Sequence, residues 1–111
     1  MYLLNRSIAV VKARQPFFDW VGQSSALVYE TFEEFIQAYT TTLLLPVFSR
    51  GDAEAMIREI YPQIFEMELR AWNDAGWPVE RSYSLFQAWF DVEFHLTVLD
   101  VSEAAIIKEP Y

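Results

Sequence analysis

His95 is the only histidine of the chain, and two carboxylates precede it in the segment FDVEFHLTVLD, residues 90–100. In a β-strand, Asp91, Glu93 and His95 would share one face, with about 7 Å between successive side chains. One straight strand cannot bring three side chains with this spacing onto a single metal ion, and a second histidine ligand is absent. A catalytic triad needs a cysteine or a serine in a GxSxG turn, and the chain has neither. We therefore predict the polar face of a strand, with a hydrolase-like site on these side chains as the alternative.

Glu68 is a second carboxylate whose position would suit proton transfer. On helical spacing counted from Ile57, it falls within the apolar stripe that contains Ile64 and Trp72. Burial in such a stripe raises the pKa of a carboxyl, and carboxyls with raised pKa values serve as general acids and bases. The alternative is that Pro62 shifts the phase of the helix, which leaves Glu68 at the edge of the stripe and paired with an arginine.

Trp72 and Trp77 are the candidate partner-binding residues. They flank the loop sequence NDAGWP, and tryptophan is enriched among the residues that dominate protein interfaces. The alternative places Trp72 in the core with Trp77 over it as a lid.

Length and composition predict a single folded domain, residues 1–111. At this size, folding buries roughly two-thirds of the surface of the unfolded chain. The hydrophobic fraction is 53% and the aromatic fraction 17%, both well above those of disordered chains. The domain is therefore expected to fold around one aromatic-rich core.

The charge balance and the missing cysteines exclude several classes of function. Sixteen acidic against eight basic side chains make a net charge of -8, so we predict neither nucleic acid nor anionic membrane as a partner. Without cysteine there is no disulfide, no thiolate catalysis and no usual structural zinc site, and we predict no metal and no cofactor. The chain shows no leader pattern and no apolar run near the 18 residues of a membrane span. A cytoplasmic protein with a protein partner, or a second copy of itself, is expected.

The first half of the chain predicts two strands and two helices. Residues 7–13 are apolar on both faces, which is typical of a strand covered on both sides. Pro16 suits the first turn of a short aromatic helix that ends at Gly22. Thr31 and Glu34 form a capping box before a helix over residues 32–39. Residues 40–48 predict an edge strand or one that ends near residue 45, because Pro46 cannot donate to a sheet.

The second half predicts a long helix, a loop, a short helix and a third strand. Asp52 is the expected cap of the long helix, which Pro62 either kinks or divides into two helices that meet at Tyr61. Residues 73–82 predict a surface loop. Ser84 and Gln87 form a second capping box, and the alternation from residue 90 predicts a strand, with a continued helix as the alternative.

These elements predict an α+β fold, or a small α/β fold. About three strands would pack with four to five helices in the order β-α-α-β-α-α-β, with right-handed crossovers wherever neighbouring strands are parallel. The order of elements is similar to the barstar architecture, a small acidic inhibitor fold, although no residue motif is shared.

The sequences NRSIAVVKARQPFFDW and AWFDVEFHLTVLD resemble those of a family of small uncharacterised bacterial proteins. The resemblance spans most of the chain and implies a bacterial source, but this family carries no established activity. The residues themselves favour a non-catalytic protein-binding or regulatory module, because they contain no nucleophile motif, phosphate-cradling loop or ligand set. A small enzyme and a structural subunit of a homodimer are the alternatives.

Overall fold

The computed structural model describes residues 1–24, 31–49 and 51–111. Within these residues the elements follow one another as β1 (Tyr2–Leu3), β2 (Arg6–Ala13), α1 (Gln15–Ser24), α2 (Phe32–Ala38), β3 (Thr41–Pro46), α3 (Ala53–Arg70), α4 (Tyr83–Trp89), β4 (Phe90–His95) and β5 (Leu99–Asp100). The predicted α+β class and the three-stranded sheet are confirmed. The order of elements gains one short strand at each end.

The main sheet is antiparallel throughout, in the order β3-β2-β4. Because no neighbouring strands are parallel, none of these connections is a right-handed parallel crossover. β3 is an edge strand, as Pro46 predicted, and it ends at that proline. A separate two-stranded ribbon joins β1 to β5, with Tyr2 opposite Asp100 and Leu3 opposite Leu99.

The core lies between one face of this sheet and the helices. The inward side chains of β2 are Ser7, Ala9, Val11 and Ala13, and all four are buried. Their small size leaves room for large rings from the helices to pack directly on the strand. The buried aromatic side chains of this layer are Phe17, Trp20, Phe35, Phe48, Phe65, Phe86 and Phe90. Burial of these large apolar rings favours folding.

Pro62 lies within α3, which runs as one helix over Ala53–Arg70. The division into two helices at Tyr61 is therefore wrong, and Trp72 lies just beyond the helix end. Ile57 precedes the proline and Ile64 and Phe65 follow it, and all three are buried in the same core. Apolar packing on both sides of Pro62 offsets the hydrogen bond that the proline removes.

One of the two predicted helix caps is confirmed and the other lies two residues earlier than predicted. Thr31 Oγ1 accepts a hydrogen bond from the backbone N–H of Glu34 at 3.1 Å. In the second case the cap is Ser82, not Ser84, because Ser82 Oγ accepts from the N–H of Leu85 at 3.1 Å and the helix begins at Tyr83.

Three contacts explain why these helix ends differ from the prediction. The Tyr83 ring packs on Tyr61 with 5.2 Å between centroids, and the Arg58 guanidinium lies 4.8 Å above it, which holds Tyr83 inside the helix. Asp52 precedes α3 without a side-chain cap, because its carboxylate accepts a hydrogen bond from the Ser49 hydroxyl at 2.7 Å instead.

The first helix also ends later than predicted, because α1 continues past Gly22 to Ser24.

No helix among the described residues is long and apolar enough to cross a membrane.

The position of the α4 cap leads to a paired test. Ser82→Ala is expected to lower the free energy of unfolding by about 1 kcal/mol, because the Leu85 N–H loses its acceptor. Ser84→Ala is the matched control, and its effect should stay within about 0.5 kcal/mol because Ser84 is exposed inside the helix. Urea unfolding followed by tryptophan fluorescence measures both changes. The reverse ranking of the two variants would contradict the cap at Ser82.

Candidate functional site

Ten side chains form the face of the main sheet that points away from the helices, called the outer face below. The antiparallel register places them on one side as Arg6, Ile8, Val10 and Lys12 of β2, Thr42, Leu44 and Pro46 of β3, and Asp91, Glu93 and His95 of β4. All ten are partly or largely exposed. None of them belongs to the core or to the apolar side chains packed against it.

The middle of the β2 and β3 side of the outer face is apolar, and Arg6 and Lys12 lie at the two ends of it on β2. Ile8 and Val10 lie on the central strand, directly opposite Leu44 and Thr42 of β3. Leu44 is 50% exposed. The sequence pattern predicted that this strand is covered on both faces, but the described residues cover only one of them. Two β-branched apolar residues of a central strand therefore face outward.

The β4 side of the outer face is charged. Asp91, Glu93 and His95 share this exposed face, as their alternation predicted. Lys12 Nζ lies 3.3 Å from Glu93 Oε1, and the Arg14 guanidinium lies 3.5 Å from Asp91 Oδ1. His95 Nε2 lies 2.9 Å from Glu93 Oε2. The hydrogen bonds from His95 and Lys12 lower the pKa of Glu93, so this carboxylate is charged at neutral pH.

This charged side has the character of a solvated ion-pair ladder. The ion-paired side chains are roughly half exposed, and exposed pairs of this kind contribute little to stability. Across the described parts of the chain, no three His, Asp or Glu side chains are grouped closely enough to hold a metal ion. His95 also borders a pocket of about 430 Å³ with Phe48 and Thr97, which is the geometric feature that a hydrolase-like site there would use.

Glu68 lies apart from the other ionisable candidates. Its Oε1 accepts a hydrogen bond from the Thr41 hydroxyl at 2.5 Å, at the start of β3, whereas Asp91, Glu93 and His95 lie on β4 at the opposite edge of the sheet. The alternative with Glu68 at the edge of the apolar stripe predicted an arginine as its partner. The hydrogen-bond partner in the structure is the Thr41 hydroxyl.

Burial raises the pKa of Glu68, and the hydrogen bond from Thr41 opposes part of that rise. A pocket of about 360 Å³ lies beside this pair, and Met67 and Tyr111 also line it. Glu68 is therefore a carboxyl that holds a proton more tightly than usual, next to a small open pocket.

Trp77 is held by several groups of its own chain. It is partly buried against the core, and its indole N–H donates to the Asn73 carbonyl at 2.7 Å. The guanidinium groups of Arg70 and Arg81 lie 5.7 and 5.6 Å from its ring centroid. These contacts hold Trp77 against its own fold, while a lid over Trp72 and partner binding through Trp77 both stay predictions.

Backbone geometry fixes the loop around Trp77. Gly76 has φ 77°, a left-handed conformation that glycine adopts without strain. Its carbonyl accepts the indole N–H of the buried Trp20 at 2.9 Å. Trp72 packs on Phe35 and against the edge of Tyr39, with centroid distances of 5.4 and 4.7 Å.

Sequence reasoning missed three contributors to these sites. Ile8 and Val10 were noticed as apolar but were assigned to a covered face, because alternation cannot show how many layers surround a sheet. Thr41 carried no signal, since its contact with Glu68 joins residues 27 positions apart.

The chain matches no protein-family model, no curated protein and no solved structure. Its function is therefore argued from the geometry above.

The raised pKa of Glu68 predicts a specific pH dependence of stability. The folded chain binds this proton more tightly than the unfolded chain, so the resulting stabilisation is complete below about pH 4.5 and is lost as the pH rises through the raised pKa. Glu68→Gln cannot ionise. Its free energy of unfolding, relative to the wild type, should therefore increase as the pH rises from about 4 to about 8.

Urea unfolding at a series of pH values measures this difference. As a control, Thr41→Val removes the donor that stabilises the carboxylate, so the pH-dependent loss should move to higher pH. Identical pH profiles for the wild type and Glu68→Gln would contradict the raised pKa.

The contacts of Trp77 predict a structural role that mutation can measure. Trp77→Ala should lower the free energy of unfolding by roughly 3 kcal/mol, because it removes ring packing, the bond to Asn73 and the arginine contacts. Trp77→Phe keeps much of the packing and should cost about 1 kcal/mol. Denaturant melts compare the two variants. An alanine variant as stable as the wild type would instead favour a side chain presented to a partner.

Proposed function

We propose that this protein is a non-catalytic protein-binding module and that the outer face of its sheet is the binding surface. The observation that carries the proposal is the outward orientation and partial exposure of Ile8 and Val10 on the central strand. Such residues on a central strand ordinarily pack against a second layer. The described part of the chain supplies no second layer on the outer face of the sheet. We therefore expect a partner to cover this face.

The distribution of polarity on the outer face supports a protein interface. Apolar side chains lie along β2 and β3, and the ion pairs of Lys12 with Glu93 and of Arg14 with Asp91 border them along β4. Protein interfaces commonly combine an apolar centre with a charged rim, in which the charges orient the partner and the centre supplies affinity.

The shape of the outer face favours a protein over a small ligand. Small-molecule sites are concave, with most of the ligand enclosed. Three pockets among the described residues reach the outer face, and the outer-face residues that line them are Thr42, Asp91 and His95 of its edge strands. Ile8 and Val10 line none of these pockets, so the apolar centre suits a broad, flat contact.

A small hydrolase-like enzyme is the second candidate. The 2.9 Å contact between His95 and Glu93 beside a pocket favours it, because a carboxylate can orient an imidazole for proton transfer. The same carboxylate is also bound by Lys12, and all three side chains are open to solvent. These features suit a binding rim better than an active site, which excludes water.

We also propose a bacterial cytoplasmic setting and a protein partner, not nucleic acid. The absence of cysteine suits a reducing compartment, and the net charge of -8 repels phosphate backbones.

Crosslinked capture from a bacterial lysate tests the binding surface. The wild type is expected to retain a protein that Val10→Ser loses, because serine removes apolar area from the centre of the outer face. Val79→Ser is the matched control, since Val79 is 97% exposed on the loop between α3 and α4. Circular dichroism should show the same fold for all three proteins. Equal capture by Val10→Ser and the wild type would contradict the proposed surface, as would no capture by a wild-type chain that also stays monomeric.

A further inference from the structure

Exposed apolar residues concentrate in the two ends of the described chain. Residues 101–111, called the arm below, form no helix or strand, and every one of them is exposed. The arm continues from the β1–β5 ribbon, whose residues Tyr2, Leu3 and Leu99 are also exposed. Residues 1–3 and 99–111 together contain eight of the thirteen large exposed apolar side chains of the described residues. Tyr111 borders pockets with Met67 and Ala71 of its own chain. The other apolar side chains of the ribbon and arm offer area that their own chain leaves exposed.

We propose that the partner of the outer face is a second copy of this chain. The outer faces of the two copies pack against each other about a two-fold axis, and each ribbon and arm extends along the other copy. This inference rests on the proposed function, because it assigns the occupant of the same surface.

Charge is the first argument for a second copy. Each chain carries a net charge of -8, so most of its surface repels another copy. The outer face differs, because Arg6 and Lys12 on it balance Asp91 and Glu93. The formal charges of these four side chains cancel, so two copies can approach through the outer face without strong like-charge repulsion. A strongly basic partner would instead be attracted to the acidic helices.

Interface size is the second argument. A stable interface involves about 20 to 30 residues from each partner. The outer face supplies ten, which is too few for a stable dimer. The arm adds eleven and brings the total into that range. The arm also carries Ile106 and Ile107, which are 56% and 82% exposed and can add apolar area to the contact.

The reach of the arm is the third argument. Its eleven residues span about 36 Å when extended. β2 has eight residues and a length of about 26 Å. The ribbon lies at the Arg6 end of β2, because only Leu4 and Asn5 separate β1 from that strand. An arm that starts at this end is long enough to run the full length of the sheet of a facing copy.

Sedimentation equilibrium on the full chain tests the inference. The wild type is expected to be a dimer at roughly 100 µM. Leu44→Glu should weaken association about tenfold or more, because it places a charge directly opposite Ile8 in the apolar part of the contact. Leu44 is half exposed on an edge strand, so this variant should keep its fold. Val79→Glu adds the same charge on the loop away from the sheet and should leave the dimer intact. A chain that ends at Asp100 should also dimerise more weakly.

Salt gives an independent readout. Raising the salt concentration from about 50 mM to about 500 mM should leave the dimer affinity unchanged or increase it, because salt screens the repulsion between two acidic chains. A wild-type monomer at the highest concentration overturns the inference, as does a dimer that Leu44→Glu leaves unchanged. If the wild type is monomeric but captures a different protein that Val10→Ser loses, the assignment of a second copy as the partner is wrong and the proposed binding surface stands.

Discussion

The packing of large aromatic rings against the small inward side chains of β2 is the constraint on which the rest of this structure depends. Ala9 and Ala13 leave space above the strand, and Phe90 at the start of β4 fills part of it. The Phe90 ring lies 4.7 Å from that of Phe17 on α1 and 5.6 Å from that of Phe65 on α3. One ring therefore connects the sheet to two helices, and large side chains on β2 would push these layers apart.

The same packing has a consequence for the other side of the sheet. The buried Phe and Trp side chains of the described residues pack on the inner face, and none of the ten outer-face residues is a Phe, Tyr or Trp. Ile8 and Val10 therefore point away from the only core that the described residues form. An antiparallel sheet tolerates one solvated face, but that face is then usually polar. The mixed character of the outer face, apolar on β2 and β3 and ion-paired on β4, is the feature that connects this fold to a partner.

Local signals predicted much of the fold and part of the candidate site. Thr31 followed by Glu34 predicted a helix start that the structure confirms, because a capping box involves only residues close in sequence. The alternation of Asp91, Glu93 and His95 predicted their shared exposed face for the same reason. Local signals failed where a distant contact decided the outcome. Ser84 had a good capping pattern, but packing of Tyr83 on Tyr61 moved the start of α4 two residues earlier.

By itself, the sequence determined the three strands of the main sheet, most of the helices and the polar face of β4, since periodicity and caps act over a few residues. Only the tertiary structure decided how many layers surround the sheet and which ionisable groups meet. Lys12 reaches Glu93 across 81 positions, and the ribbon pairs Tyr2 with Asp100, two contacts that no local pattern encodes. Tertiary packing likewise determined that Glu68 lies against Thr41 at one edge of the sheet while His95 lies at the other. The physical reason is that burial and pairing depend on which distant surfaces meet, and a single sequence does not specify those neighbours one by one.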